Sequence, residues 1–177
     1  LAILAGIGER VAAITRRSVS GELDFETALD ERVAMLAGKP KELIDQITAN
    51  SKLTDGARTL VQTMRAHDAF CYLVSGGFDL LAAPIAAKCG FHGYHANHLD
   101  HDGTIISGTV RKPVLDRQAK DTYLTHYCQL YNIDVAATAS VGDGANDLSM
   151  LEQAGFGVAF HGKPILRETV ALQLNHT

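Results

Sequence analysis

The sequence predicts an α/β fold, in which a doubly wound, Rossmann-like parallel sheet carries a small helical bundle. Two observations predict it. After about residue 52, short apolar runs alternate with helical patterns, which is typical of parallel sheets covered by helices. Before that point the apolar residues recur at helical spacing and no strand pattern is present. We therefore divide the chain into a helical cap at 1–52 and an α/β core at 53–177.

The cap is expected to contain three amphipathic helices. The first pattern begins at Leu1 and continues to Ile14. Asp24 is expected to cap the second helix, whose buried stripe includes Leu29 and Val33. A third helix buries Ile44. These helices would pack together as a bundle.

The core shows a regular alternation of strand and helix patterns. We predict strands over residues 69–74, 137–141 and 157–160. Helices are predicted over residues 54–67 and 115–131, and two further helices contain Leu148 and begin near Pro164. A further helix follows residues 75–77 and is closed by Gly90. Asp102-Gly103 predicts a hairpin turn. Because parallel sheets bind ligands at the carboxyl ends of their strands, residues 75–77 and 142–144 mark the predicted site.

Composition excludes several classes of protein. The chain has 177 residues, of which 46% are hydrophobic and 20% charged, so a packed core is expected rather than disorder. The net charge is −4 and no basic stripe is present, which argues against nucleic acid as a partner. No apolar run approaches the roughly 18 residues that cross a bilayer. Three unpaired, widely spaced cysteines are typical of a reducing cytoplasm.

The strongest chemical signal is the run from Val141 to Leu151, which contains Gly-Asp-Gly-Ala-Asn-Asp. A strand would deliver Asp143 to a glycine-flanked loop, and Asn146 and Asp147 would open the next helix. Crowded carboxylates repel one another unless a cation is present, and hard oxygen ligands favour Mg²⁺. A simple capped turn is the alternative for an isolated Gly-Asp-Gly, but the whole run favours a functional site.

Two further signals indicate a bound anion. Ser75-Gly76-Gly77 would let backbone amides and a hydroxyl approach a phosphate. A phosphate dianion beside carboxylates also needs a cation. Lys112 and Lys120 both qualify, and their spacing does not choose between them.

Histidines at positions 92, 95, 98 and 101 recur every third residue. That period fits neither a helix face nor one side of a strand, so we do not predict a metal site there.

In this order, these elements resemble the haloacid dehalogenase superfamily of phosphotransferases. The resemblance runs along nearly the whole chain and is carried by residues 21–26, 32–33, 74–78, 96–97, 102–103, 120, 142–151 and 159–164. Phe25 and Arg32 narrow it to the branch of the superfamily that hydrolyses O-phospho-L-serine, the last step of serine biosynthesis.

The resemblance implies how phosphate would be held. Ser75 and the Gly76 amide would bind the transferring phosphoryl group, and Asn146 would contact the phosphate or its surroundings. Lys120, rather than Lys112, would neutralise the phosphoryl oxygens. This logic agrees with the dependence of phosphoryl transfer on positioning and electrostatic stabilisation.

The resemblance also implies the metal ligand and the contacts to the rest of the substrate. Asp143 would ligate Mg²⁺, and Asp147 would orient Lys120 and tune the metal's surroundings. Arg32, from the cap, would pair with the substrate carboxylate. Phe25 would pack over the substrate and exclude water.

The nucleophile of this family lies in an Asp-x-Asp-x-Thr motif after the first strand, where one aspartate is phosphorylated and the other acts as general acid and base. Here the nearest run, which begins at Asp100, falls in the predicted hairpin turn. We therefore expect roughly 15–25 residues upstream of Leu1, which would supply the nucleophile and the central strand. The last element at the C-terminus is also expected to be incomplete.

The sequence thus predicts a cytoplasmic, Mg²⁺-dependent phosphomonoesterase that acts on phosphoserine, as a monomer or a homodimer. One alternative is a phosphatase or phosphotransferase for another small metabolite. Another is a protein that binds a phosphorylated ligand without catalysis.

Overall fold

The computed structural model describes residues 1–116 and 118–175, which fall into two compact units, Leu1–Asp116 and Arg117–Thr177. The boundary between these units follows Asp116. The division into a helical cap at 1–52 and an α/β core at 53–177 rests on the sequence pattern and stays a prediction. None of the helices formed by the described residues is both long enough and apolar enough to cross a membrane.

The first unit consists of five helices, a parallel strand pair and an antiparallel hairpin. The helices are α1 (Gly8–Val19), α2 (Phe25–Ala34), α3 (Glu42–Asn50), α4 (Ala57–Ala66) and α5 (Asp79–Cys89). Strands β1 (Tyr72–Phe78) and β2 (Gly93–Asn97) pair in parallel, whereas β3 (Leu99–His101) and β4 (Ile106–Val110) form the hairpin.

One apolar cluster holds the first unit together. Leu29 and Val33 of α2, Ile44 of α3, Leu99 of β3 and Ile106 of β4 are all buried in it. The predicted helices of the cap therefore share their core with the hairpin instead of closing on themselves. The expected N-cap of α2 is confirmed, because the carboxylate of its capping aspartate accepts a hydrogen bond from the Thr27 amide at 2.9 Å.

The second unit is a three-stranded parallel sheet with helices. Its elements are α6 (Ala119–Tyr131), β5 (Ala139–Gly142), α7 (Leu148–Gln153), β6 (Phe156–Phe160), α8 (Pro164–Thr169) and β7 (Leu172–Leu174). The strand order is β5-β6-β7, and both pairs are parallel. Its core is formed by Leu151, Ala159, Leu166 and Val170. The predicted α/β class with parallel strands is confirmed.

Several predicted boundaries were wrong. The first helix begins at Gly8 rather than Leu1, since Gly6 adopts a positive φ of 71° that interrupts the helical pattern. Helix α6 begins at Ala119 rather than Leu115, because the Leu115 amide donates to a side chain of β2 instead of entering a helix. Strand β7 had no predicted counterpart, and a three-residue strand offers too short a pattern to recognise.

Candidate active site

The Ser75–Gly77 segment lies within β1. The sequence analysis predicted it after the end of the strand, and that prediction was wrong. Val74 pairs with His95 and Phe78 with Asn97, so four steps along β1 match only two along β2. The extra residues form a bulge in the parallel pair. Such a bulge interrupts the regular ladder of backbone hydrogen bonds at the place where the sequence predicts a phosphate contact.

The bulge is open toward the outside. Gly76 is exposed, and a Cβ added to it would meet no atom of the described residues within 4 Å. The neighbouring Gly77 amide donates to the Ser75 hydroxyl oxygen at 3.0 Å. The glycine at position 76 is therefore not required for packing inside the protein, and the space beside it is free for a ligand.

Asn97 closes the bulge from inside the protein, and the sequence analysis gave this residue no role. Its side chain is buried, with 1% of its surface exposed. Its Nδ2 donates to the Gly76 carbonyl oxygen at 3.0 Å, and its Oδ1 accepts from the Leu115 amide at 2.7 Å. A single asparagine at the end of a short strand carries no local pattern that would indicate this double contact.

Helix α2 carries the two residues that the resemblance assigns to substrate. Phe25 packs against the apolar cluster of the first unit, and Arg32 is half-buried. The Arg32 Nε donates to the Ala28 carbonyl at 3.0 Å, and the guanidinium pairs with no carboxylate among the described residues. Burial lowers the pKa of Arg32 below its ordinary value. A half-buried guanidinium without a carboxylate partner is suited to bind one from a ligand.

The structure distinguishes the two candidate lysines. Lys112 contacts two carboxylates on α2, Glu26 at 2.6 Å and Asp30 at 2.8 Å. These contacts raise the pKa of Lys112, and hydrogen bonding to Asp30 is the largest cause. Because its charge is already balanced within the first unit, Lys112 is a poor candidate for a phosphate ligand.

Lys120 is held differently, in the second unit. It extends from the first turn of α6, and its Nζ forms an ion pair with Asp147 Oδ1. The Lys120 side chain is 17% exposed, whereas the Asp147 side chain is 2% exposed. Within residues 1–116 and 118–175, Asp147 is the one carboxylate that pairs with this ammonium group, so two of its three N–H donors stay available there.

Asp147 also shapes the loop that follows β5. Its Oδ2 accepts hydrogen bonds from the amides of Asp143 and Gly144, both at 2.9 Å. The close approach requires glycine at position 142, because a Cβ there would come within 2.6 Å of the Asp147 Cγ. One buried carboxylate thus joins the loop to Lys120. The predicted opening of the next helix takes the form of a short 3₁₀ turn, Ala145–Asp147, before α7.

The side chains of Asp143 and Asn146 take no part in this network of hydrogen bonds. Both residues are exposed, and neither side chain makes a hydrogen bond or ion pair within residues 1–116 and 118–175. A free carboxylate oxygen at a strand end fits Mg²⁺, which is commonly held by one or two carboxylates with water and substrate phosphate completing its shell. The described residues contain no group of three or more His, Cys, Asp or Glu side chains that would cage an ion by themselves.

The two aspartates of the hairpin stabilise its turn and its strand pairing. Asp102 Oδ1 accepts from the amides of Thr104 at 2.8 Å and Ile105 at 2.7 Å, and these backbone hydrogen bonds lower the Asp102 pKa. Asp100 Oδ2 accepts from the Thr109 hydroxyl at 2.8 Å. The run that begins at Asp100 therefore stabilises a β-turn and a cross-strand contact, as its predicted position in a hairpin indicated.

Comparison with known proteins identifies the family of this chain. A family model described as haloacid dehalogenase-like hydrolase matches residues 4–152, and the chain belongs to that family.

Among its relatives, it is similar to phosphoserine phosphatase SerB2 of Mycobacterium tuberculosis, with 41% identity over 176 residues, 99% of this chain and 43% of that protein. The phosphoserine phosphatase of Streptomyces coelicolor is 37% identical over 171 residues, 97% of this chain and 42% of that protein. This chain thus spans about two fifths of the length of either relative. Its fold is also similar to a solved phospho-aspartyl intermediate analogue of phosphoserine phosphatase, with a TM-score of 0.86 and 35% identity over 99% of this chain and 84% of that one.

Proposed function

We propose that this chain belongs to a Mg²⁺-dependent phosphatase that hydrolyses O-phospho-L-serine to L-serine and phosphate. The observation that carries the proposal is the buried Asp147, which links Lys120 to the loop presenting the free Asp143 carboxylate. Similarity to two phosphoserine phosphatases, at 41% and 37% identity, supports phosphoserine as the substrate.

Each residue has a part in the proposed reaction. Ser75 and the Gly76 amide bind the phosphoryl oxygens, and Lys120 offsets the charge that develops on them. Asp143 would ligate Mg²⁺, and Asn146 would contact the phosphate or its surroundings. Mg²⁺, when bound, supplies further charge stabilisation to the phosphoryl group.

The nucleophile in this proposal is an aspartate upstream of Leu1. Its carboxylate oxygen attacks phosphorus, the serine oxygen leaves with a proton from a general acid, and water then releases phosphate from the aspartyl-phosphate. Fold similarity to a phospho-aspartyl intermediate analogue supports this route. The Asp100 and Asp102 carboxylates are engaged in the hairpin, which argues against either as nucleophile.

Phosphate release tests the proposal directly. Protein expressed from its complete coding sequence should release phosphate from phosphoserine with Mg²⁺ and should lose that activity when the metal is chelated. Binding of phosphoserine without any phosphate release would instead favour a non-catalytic ligand-binding protein.

Replacing Arg32 by alanine should selectively impair the use of phosphoserine. We expect kcat/KM for phosphoserine to fall about 100-fold, since a charge-assisted pair with the substrate carboxylate contributes about 2–3 kcal/mol. Turnover of p-nitrophenyl phosphate, which has no carboxylate, should change less than about threefold. The matched control is Arg17→Ala, because Arg17 pairs with Glu22 and Glu31 on the surface of the same unit. Equal losses on both substrates would favour a phosphatase for another small metabolite.

Replacing Gly76 by alanine should weaken phosphate binding without unfolding the protein. Its φ is not positive and no atom of residues 1–116 and 118–175 lies within 4 Å of the added methyl group, so stability should stay within about 1 kcal/mol of the wild type. The methyl group would occupy the space where a phosphoryl oxygen approaches the amide. Steady-state kinetics should show KM for phosphoserine raised about tenfold, an effect of about 1.4 kcal/mol. An unchanged KM would remove Gly76 from the phosphate site.

A further inference from the structure

We propose that Asn97 is a positioning residue for phosphate, which acts by holding the Ser75–Gly77 bulge in the shape that receives the phosphoryl group. This inference rests on the proposed function of Ser75 and Gly76. It adds a residue whose side chain lies behind the bulge.

The first support is the hydrogen bonding of the bulge itself. Where β1 advances four residues against two on β2, the backbone groups of the extra residues lose their regular partners. The Asn97 Nδ2 supplies a donor to the Gly76 carbonyl at 3.0 Å. Because the Gly76 carbonyl and the Gly77 amide belong to one peptide plane, fixing that carbonyl also restrains the Gly77 amide, which donates to the Ser75 hydroxyl oxygen at 3.0 Å.

The second support is that Asn97 is itself immobilised. It is 1% exposed and belongs to β2, and its Oδ1 accepts from the Leu115 amide at 2.7 Å. A buried amide whose oxygen and nitrogen both have partners keeps one orientation. The bulge is therefore tied to a rigid point of the first unit, while its outer surface at Gly76 stays open.

The segment that ends at Leu115 has a further attachment. Lys112, three residues earlier, contacts Glu26 and Asp30 on α2, the helix that carries Phe25 and Arg32. Asn97 thus joins the bulge to the same segment that Lys112 joins to α2. Loss of the Asn97 contacts would free the bulge and one end of this connection together.

The test uses protein expressed from its complete coding sequence and measures inhibition by inorganic phosphate. Asn97→Asp keeps the size and the acceptor toward Leu115 but cannot donate to the Gly76 carbonyl when ionised, and Asn97→Ala removes both contacts. We expect the phosphate inhibition constant to rise about tenfold in either variant, as loss of one hydrogen bond to a buried partner predicts. The control is Ile44→Val, which trims a fully buried side chain of α3 in the same unit.

Ile44→Val should lower the melting temperature while leaving the phosphate constant unchanged. The proposal is overturned if folded Asn97→Asp binds phosphate as the wild type does, or if the control weakens phosphate binding equally. Should both Asn97 variants fail to fold, the wild type provides the test. The Asn97 side-chain amide resonances should shift when inorganic phosphate is titrated, and an absence of any shift at saturation refutes the proposal. If the phosphate-dependent shift is observed but phosphoserine is not hydrolysed, the proposed function is rejected and the role of Asn97 in binding phosphate is retained.

Discussion

Asp143→Asn should lower kcat for phosphoserine by roughly 10³-fold, because the variant loses the carboxylate proposed to hold Mg²⁺, whose charge stabilisation is worth several kcal/mol. The fold should persist. Asp143 is exposed and its side chain has no partner in the part of the chain that the structure describes, so removing its charge orphans no other group.

The measurement is phosphate release over a range of Mg²⁺ concentrations. The wild type should saturate with metal, whereas the variant should respond little. Glu152→Gln is the matched control, since it removes one exposed negative charge from α7 in the same unit. Undiminished turnover in Asp143→Asn would show that this carboxylate does not hold the metal.

Asp147→Ala should cost both stability and activity. Lys120, whose side chain is 17% exposed, would lose its carboxylate, and the amides of Asp143 and Gly144 would lose their acceptor. Leaving one member of a largely buried ion pair without its partner typically costs about 3–5 kcal/mol. Urea denaturation should therefore show the free energy of unfolding reduced by about that amount. Turnover should also fall, because Lys120 loses the carboxylate that orients it.

Two companion variants separate the causes of that loss. Asp147→Asn retains an acceptor for the loop amides but not the charge, so it should be destabilised less than Asp147→Ala. Adding Lys120→Met to Asp147→Ala should restore part of the stability, because the unpaired ammonium is then gone. A single Asp147→Ala variant within about 1 kcal/mol of the wild type would contradict the role given to this network.

Local features of the fold could be predicted from the sequence because each depends on residues close together in the chain. Asp24 caps α2 through an amide three residues away, and Asp102 forms the hairpin turn through amides two and three residues further along the chain. The parallel strands followed from apolar runs between helical patterns. Boundaries at Leu1 and Leu115 were wrong, since a glycine conformation and a distant side chain decided them.

The sequence by itself determined the α/β class, the caps and turns, and which residue types stand at strand ends. Only the tertiary structure decided which partners those residues have. It placed Ser75 in a bulge rather than at a strand end, committed Lys112 to α2, and set Lys120 against Asp147, 27 positions away. It also gave Asn97 two backbone partners 18 and 21 positions distant. The physical reason is that a buried polar group must find a partner wherever folding brings one within reach, and spacing along the chain does not encode that distance.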